Sequence, residues 1–182
     1  MRAWMNLVTA VGVIIVCIGG VYFFAFGTVE EVTPTPISLG AVYAGGPLAS
    51  TYRNAELGFS VGLPEGFHSQ ELPVDENAGR TILLQNDAGE GIQIYAVPYS
   101  ENLSSLTAAD IRAALPDLRV TEEQIVEIGE NNTGVAFKSD NDAFNGDSRE
   151  VWFVFRGTLY QISTYARLDG LLQAMFATWK FN

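Results

Sequence analysis

One cysteine and one histidine in 182 residues exclude whole classes of chemistry. Disulfide frameworks, zinc fingers and the Cys-His or Ser-His dyads of most nucleophilic hydrolases all need more of these two residues than the chain holds. Basic side chains are scarce as well, with ten Lys or Arg against twenty-one Asp or Glu and a formal charge of -11. Such a balance offers no broad electrostatic hold on nucleic acid, so no nucleic-acid partner is expected. Charged residues make up only 17% of the chain while 48% are apolar and 12% aromatic, which excludes a disordered polymer.

The apolar residues are concentrated at one end. Leu7 to Phe26 carries no charge, and only Thr9 and Tyr22 interrupt it with polar groups. Twenty residues at 1.5 Å rise match a hydrocarbon core of ~30 Å, so residues 7–26 are expected to cross a lipid bilayer as one N-terminal transmembrane helix. Arg2 is the only side-chain charge before the run, and Glu30 and Glu31 are the first after it. The positive-inside rule then predicts a single-pass protein of the plasma (inner) membrane, with a cytoplasmic N-terminus and everything after Gly27 outside the cytoplasm. A cleavable signal peptide is the rival, with Ala25 and Gly27 flanking a peptidase site, but the run exceeds a usual signal core. Cys17 lacks the small preceding residue of a lipoprotein site, and it reads as a small membrane-buried side chain.

The organisation expected is residues 1–27 as anchor, 28–50 as linker and 51–182 as one domain. Thr33-Pro34-Thr35-Pro36 followed by Gly40, Gly45, Gly46 and Pro47 shows no periodicity, and polyproline-like geometry at ~3.1 Å per residue gives the linker reach. Leaving out Arg2, Glu30 and Glu31, the domain holds nine basic and nineteen acidic residues, so it is the domain that is acidic.

Within it, Leu57, Phe59, Val61 and Leu63 alternate as a strand that Pro64-Glu65-Gly66 ends. Thr81–Gln85 and Gly91–Val97 form a hairpin around Asn86-Asp87-Ala88-Gly89-Glu90. Thr107 is an N-cap with Asp110 three residues on, opening a short helix through Ile111, Ala114 and Leu115 that Pro116 stops. Gln124–Gly129 and Val135–Lys138 are strands joined by Asn131-Asn132-Thr133-Gly134. Glu150–Phe155 and Leu159–Tyr165 form another hairpin at Arg156-Gly157. Leu168, Leu171, Leu172, Met175, Phe176 and Trp179 recur at helical spacing for about three turns. The fold class predicted is α+β: a mostly antiparallel sheet with a C-terminal helix and a shorter helix packed on it.

Tyr52-Arg53-Asn54, Leu57-Gly58-Phe59-Ser60-Val61 and Pro64-Glu65-Gly66-Phe67 resemble the opening of the PsbP-like fold. Arg149–Phe155, Gly157, Leu159-Tyr160 and the terminal segment with Trp179 and Phe181 are similar to its closing unit. The fold is shared by extrinsic photosystem subunits, a Ran-binding nuclear import factor and many bacterial envelope proteins. The resemblance implies a non-catalytic domain that docks on larger assemblies or binds small ligands, and it carries over no binding residue.

Candidate sites are few. Asp140-Asn141-Asp142 with Asn145-Gly146-Asp147 places hard oxygen ligands in one loop, so Asp140, Asp142 and Asp147 are the candidate metal ligands. The spacing departs from an EF-hand, and the preferred reading is a solvated hairpin tip. His68 has no second imidazole or thiolate to complete a site and reads as a turn residue. Asp75-Glu76 and Glu122-Glu123 are adjacent carboxylates that point apart, and Ser148 shows no base in the sequence. No cofactor is expected. Asn102-Leu103-Ser104 and Asn131-Asn132-Thr133 fit a glycosylation pattern that matters only in a eukaryotic secretory path.

Three functions follow, in order of preference. The first is a membrane-anchored accessory or scaffold domain that binds a protein partner, and the second is an envelope binder of a small ligand or divalent cation. The third is an enzyme. An exposed apolar patch favours the first, a concave pocket with converging polar groups the second, and perturbed carboxylates in a cleft the third.

Overall fold

The computed structural model describes residues 43–72, 79–99, 106–129 and 132–182. The expected anchor at 7–26, most of the linker, Asp75-Glu76 and the Asn102 sequon lie outside the described residues. Among the described residues no helix is long and apolar enough to cross a membrane.

Among the described residues ten strands form two sheets, accompanied by two α-helices. They run β1 (Leu48–Asn54), β2 (Phe59–Pro64), β3 (His68–Leu72), β4 (Arg80–Gln85), β5 (Gly91–Pro98), α1 (Ala108–Ala114), β6 (Thr121–Ile128), β7 (Asn132–Ser139), β8 (Ser148–Phe155), β9 (Thr158–Tyr165), α2 (Asp169–Phe176) and β10 (Lys180–Phe181). The large sheet has the order β3-β4-β5-β9-β8-β7-β6, and β1-β2-β10 form a small one. Every pairing is antiparallel. The α+β class and the two hairpins centred on residues 86–90 and 156–157 match the expectation.

Several elements differ from it. β1 begins at Leu48, inside the stretch read as linker, because residues 48–54 pair along β2. His68 stands on β3 and not in a turn: the turn closes earlier, at Gly66, whose φ of 78° suits a residue without a Cβ. Asn132 and Thr133 belong to β7 and pair with Ile128 and Glu127. The C-terminal helix is shorter than three turns, with a 3-10 turn at Ala166–Leu168 leading into the eight residues of α2. Thr178 ends it by a competing bond, since its hydroxyl donates to Met175 O at 2.7 Å and accepts the Gly62 N–H at 2.8 Å. Trp179 therefore leaves the helix and Lys180–Phe181 joins β2 as β10.

Period-two alternation gives the large sheet two faces of different character. Ile82, Leu84, Ile92, Ile94, Val151, Phe153, Tyr160 and Ile162 face the small sheet and α2, where Phe59, Met175, Phe176 and Trp179 meet them. The opposite face is divided. Its β7 half, with Val135, Phe137, Trp152 and Val154, is covered by Ile111 of α1 and by Leu106 and Val120. Its β4 and β5 half mixes Thr81 and Gln93 with Leu83 and Tyr95, and the end of α1 stands at its edge.

Candidate functional site

The β4 and β5 side of this second face is the floor of a cavity of about 620 Å³. Two rows of side chains cross it. One runs Thr81, Tyr95, Gln161, Trp152 along successive strands, and the next runs Leu83, Gln93, Ser163, Glu150. Seven of these eight residues line the space, Leu83 being the exception, and Ala114–Leu118 and Asp140–Ala143 make its walls. Its volume falls in the range of small-molecule sites, and its lining combines aromatic and apolar groups with polar ones that converge.

The first wall is set by the capping box foreseen at Thr107. Thr107 Oγ1 accepts the Asp110 N–H at 3.2 Å, and Asp110 Oδ2 accepts the Thr107 N–H at 2.8 Å. The box fixes the start of a seven-residue helix, and Pro116 ends it, so Leu115, Pro116 and Leu118 stand over the floor. The second wall is the loop between β7 and β8. Asn141 Oδ1 accepts the Ala143 N–H at 3.0 Å, opening the 3-10 turn Asp142–Phe144, and Phe144 is buried against Tyr165 with rings 5.2 Å apart. Asp140 Oδ1 accepts the Arg119 N–H at 3.2 Å and ties this loop to the segment after α1.

Glu150 is the residue that sequence reasoning missed. It is 2% exposed, at the end of the floor row, and no basic side chain reaches it. Oε1 accepts hydrogen bonds from Ser148 Oγ at 2.7 Å and Asn141 Nδ2 at 3.3 Å, while Oε2 accepts from Ser163 Oγ and from Trp152 Nε1 at 3.3 Å. Burial pushes its carboxyl above the ordinary carboxylate range, and the four donors pull it back only in part. Its signal in the sequence was a carboxylate in the strand Glu150–Phe155, on the opposite side to Val151, Phe153 and Phe155. Ser148, read as having no base, is one of its donors.

The candidate metal ligands are not brought together. Asp140 and Asp142 stand on the cavity rim, whereas Asp147 does not line the cavity, and its carbonyl accepts the Ala166 N–H at 3.0 Å. Among the described residues no three His, Cys, Asp or Glu side chains gather to hold a metal. Glu122 and Glu123 diverge, the first to Lys138 Nζ at 2.9 Å and the second to Arg112 Nη2 at 2.8 Å. The Arg112 guanidinium lowers the Glu123 pKa. Glu122 has a positive φ of 51° beside the register shift of β6, the local break that separates the two side chains. His68 lies on the outer strand β3, half-exposed, 3.7 Å from Asp87.

No model of a known protein family matches the chain, and no curated protein matches it. Among solved structures, the fold is similar to that of cyanobacterial PsbP (CyanoP) from Synechocystis sp. PCC 6803. The TM-score is 0.50 at 9% sequence identity, over 79% of this chain and 99% of that one. The described domain has the PsbP-like fold.

Proposed function

We propose that this chain is a non-catalytic accessory protein, held at the outer face of a membrane by residues 7–26, whose domain binds a small ligand in the cavity over Glu150. One observation carries the reading: among the described residues, the side chains on half of one sheet face line a concavity instead of packing beneath α1. The ligand reading thus moves ahead of the scaffold reading preferred on sequence.

The chemistry of the floor supports binding over catalysis. Ser163 and Ser148 both donate to Glu150, which superficially joins a nucleophile to a base. A carboxyl remains a far weaker base than a serine alkoxide even when burial raises its pKa, so proton transfer between them is steeply uphill. No histidine, cysteine or lysine lines the cavity to bridge that gap. Docking on a protein partner stands as a second reading, favoured by β3, an end strand with four of its five residues exposed.

Ligand-detected NMR on the full chain tests the primary reading. A mixture of small polar and aromatic compounds is expected to include some that take up saturation from the protein, and to lose it in Gln161→Phe, which fills the middle of the floor. Equal transfer in both proteins would remove the cavity from consideration and favour docking.

A further inference from the structure

We propose that the cavity takes a small organic cation, an amphiphilic amine whose ammonium is drawn in by the acidic rim and accepted by polar oxygens of the lining, and whose apolar body rests on Leu115, Leu118 and Trp152. This assignment rests on the ligand-binding reading above and gives it a chemical class.

The charge of the lining is of one sign. Asp117, Asp140 and Asp142 stand on the rim and Glu150 on the floor, and among the described residues no lysine, arginine or histidine lines the space. Three of the neighbouring cations are committed elsewhere. Arg112 pairs with Glu123, Lys138 with Glu122, and Arg149, which alternates with Glu150 along β8, with Asp169 on the other side of the sheet. Arg119 offers the rim its backbone N–H, which Asp140 accepts. A walled space of low dielectric focuses such a field, so an anion is repelled and a cation concentrated.

A second, independent observation lies on the floor. Thr81 is 4% exposed, yet its hydroxyl makes no hydrogen bond among the described residues, and the same holds for the side-chain amides of Gln93 and Gln161. Buried polar groups are normally paired, which makes Thr81 the exception here; Gln93 and Gln161 are half-buried, and all three line the cavity with oxygens able to accept N–H donors. An ammonium supplies three such donors.

The remaining surface decides between an organic cation and a metal ion. The carboxylates are spread around the cavity, and among the described residues no three gather closely enough for an ion. Leu115, Pro116 and Leu118 would contribute nothing to a hydrated metal, whereas they bury an apolar body.

The test uses three near-isosteres of different charge, phenethylammonium, 2-phenylethanol and phenylacetate, titrated into the full chain in a non-ionic detergent. The indole N–H resonance of Trp152, identified by its loss in Trp152→Phe, reports occupancy beside Glu150. Phenethylammonium is expected to bind about tenfold more tightly than 2-phenylethanol, and phenylacetate not at all. In Asp117→Asn with Asp142→Asn, that preference should fall to near unity while 2-phenylethanol binds as before. Equal or tighter binding of 2-phenylethanol or phenylacetate in the natural chain would overturn the cation assignment and leave the cavity as a ligand site. Retention of the preference in the doubly substituted protein would overturn it too. If no probe moves the Trp152 resonance, the ligand-binding reading itself fails.

Discussion

Trp179 stacks on Phe59 with ring centroids 4.4 Å apart and planes 8° from parallel, joining the last residues of the chain to the second strand of the domain. Phe176 lies on the other side at 5.3 Å, also near parallel, and Phe153 and Tyr160 meet the indole edge-on. The indole is 3% exposed, and its N–H has no partner. Its contribution is therefore packing, and Trp179→Ala should cost about 3 to 5 kcal/mol through the cavity it leaves. Urea denaturation measures this, and a loss below about 1 kcal/mol would contradict the stacking.

That contact shows what periodicity can and cannot reveal. Trp179 falls on the helical stripe of Leu172, Met175 and Phe176, so its burial was legible although its conformation was not. A hydroxyl two residues beyond α2 ended the helix, and its bond to Gly62 spans residues distant in sequence. β1 and β3 were hidden for a related reason. Leu48–Asn54 is mostly exposed and lies under glycine and proline, while His68–Leu72 carries four exposed residues, so neither shows an alternating apolar face. Hairpins and the Thr107 box were readable because their signals are local. The cavity was not, since its floor draws Thr81, Gln93, Gln161 and Glu150 from four strands whose order only the topology supplies.

Glu150 should leave a signature in the pH dependence of stability. Its pKa is raised in the folded state, so the unfolded chain releases this proton first as pH rises. The stabilising contribution is complete below the ordinary carboxylate pKa and is lost as pH climbs through the raised folded value. Glu150→Gln removes that loss while presenting an amide NH2 to donors that formerly met an acceptor, a local cost of about 1 to 3 kcal/mol. Comparing urea midpoints from about pH 4 to about pH 8, the variant should gain on the natural chain as pH increases. A constant difference across that range would show that the carboxyl titrates normally.

The capping box couples stability to the cavity wall. Thr107→Ala removes the acceptor for the Asp110 N–H and should lower stability by about 1 kcal/mol. α1 is only seven residues long and makes few contacts of its own, so the loss should concentrate in local opening. Amide exchange is expected to accelerate in Ile111–Leu115 while the strands of the large sheet keep their protection. Uniform acceleration throughout the domain would place the capping box in the global core.

Membrane topology is tested by protease added to sealed native membranes whose outer face is accessible. With residues 7–26 as a spanning segment and Arg2 on the cytoplasmic side, the domain should be removed. Digestion only after the membrane is ruptured would reverse the orientation. A mature chain that comigrates with a protein starting at Thr28 would replace the anchor with a cleaved signal.

The loop at Asp140, Asp142 and Asp147 distinguishes a shaped metal site from scattered charge. A cation held by all three side chains would stabilise the folded state by RT ln(1 + [L]/Kd), about 2.7 kcal/mol at a hundredfold excess over Kd. The geometry opposes this, because Asp140 and Asp142 are on the cavity rim, Asp147 stands apart, and Asp140 already accepts the Arg119 N–H. Spread, hydrated carboxylates attract divalent ions by charge alone, which hardly separates Ca²⁺ from Mg²⁺, whereas a built site selects by size and ligand number. Millimolar Ca²⁺ should therefore raise the Tm of the chain no more than Mg²⁺ at the same ionic strength. A Ca²⁺-specific rise of several degrees that disappears in Asp142→Asn would show the three carboxylates closing on an ion, and would make the rim a metal site in place of an ammonium site.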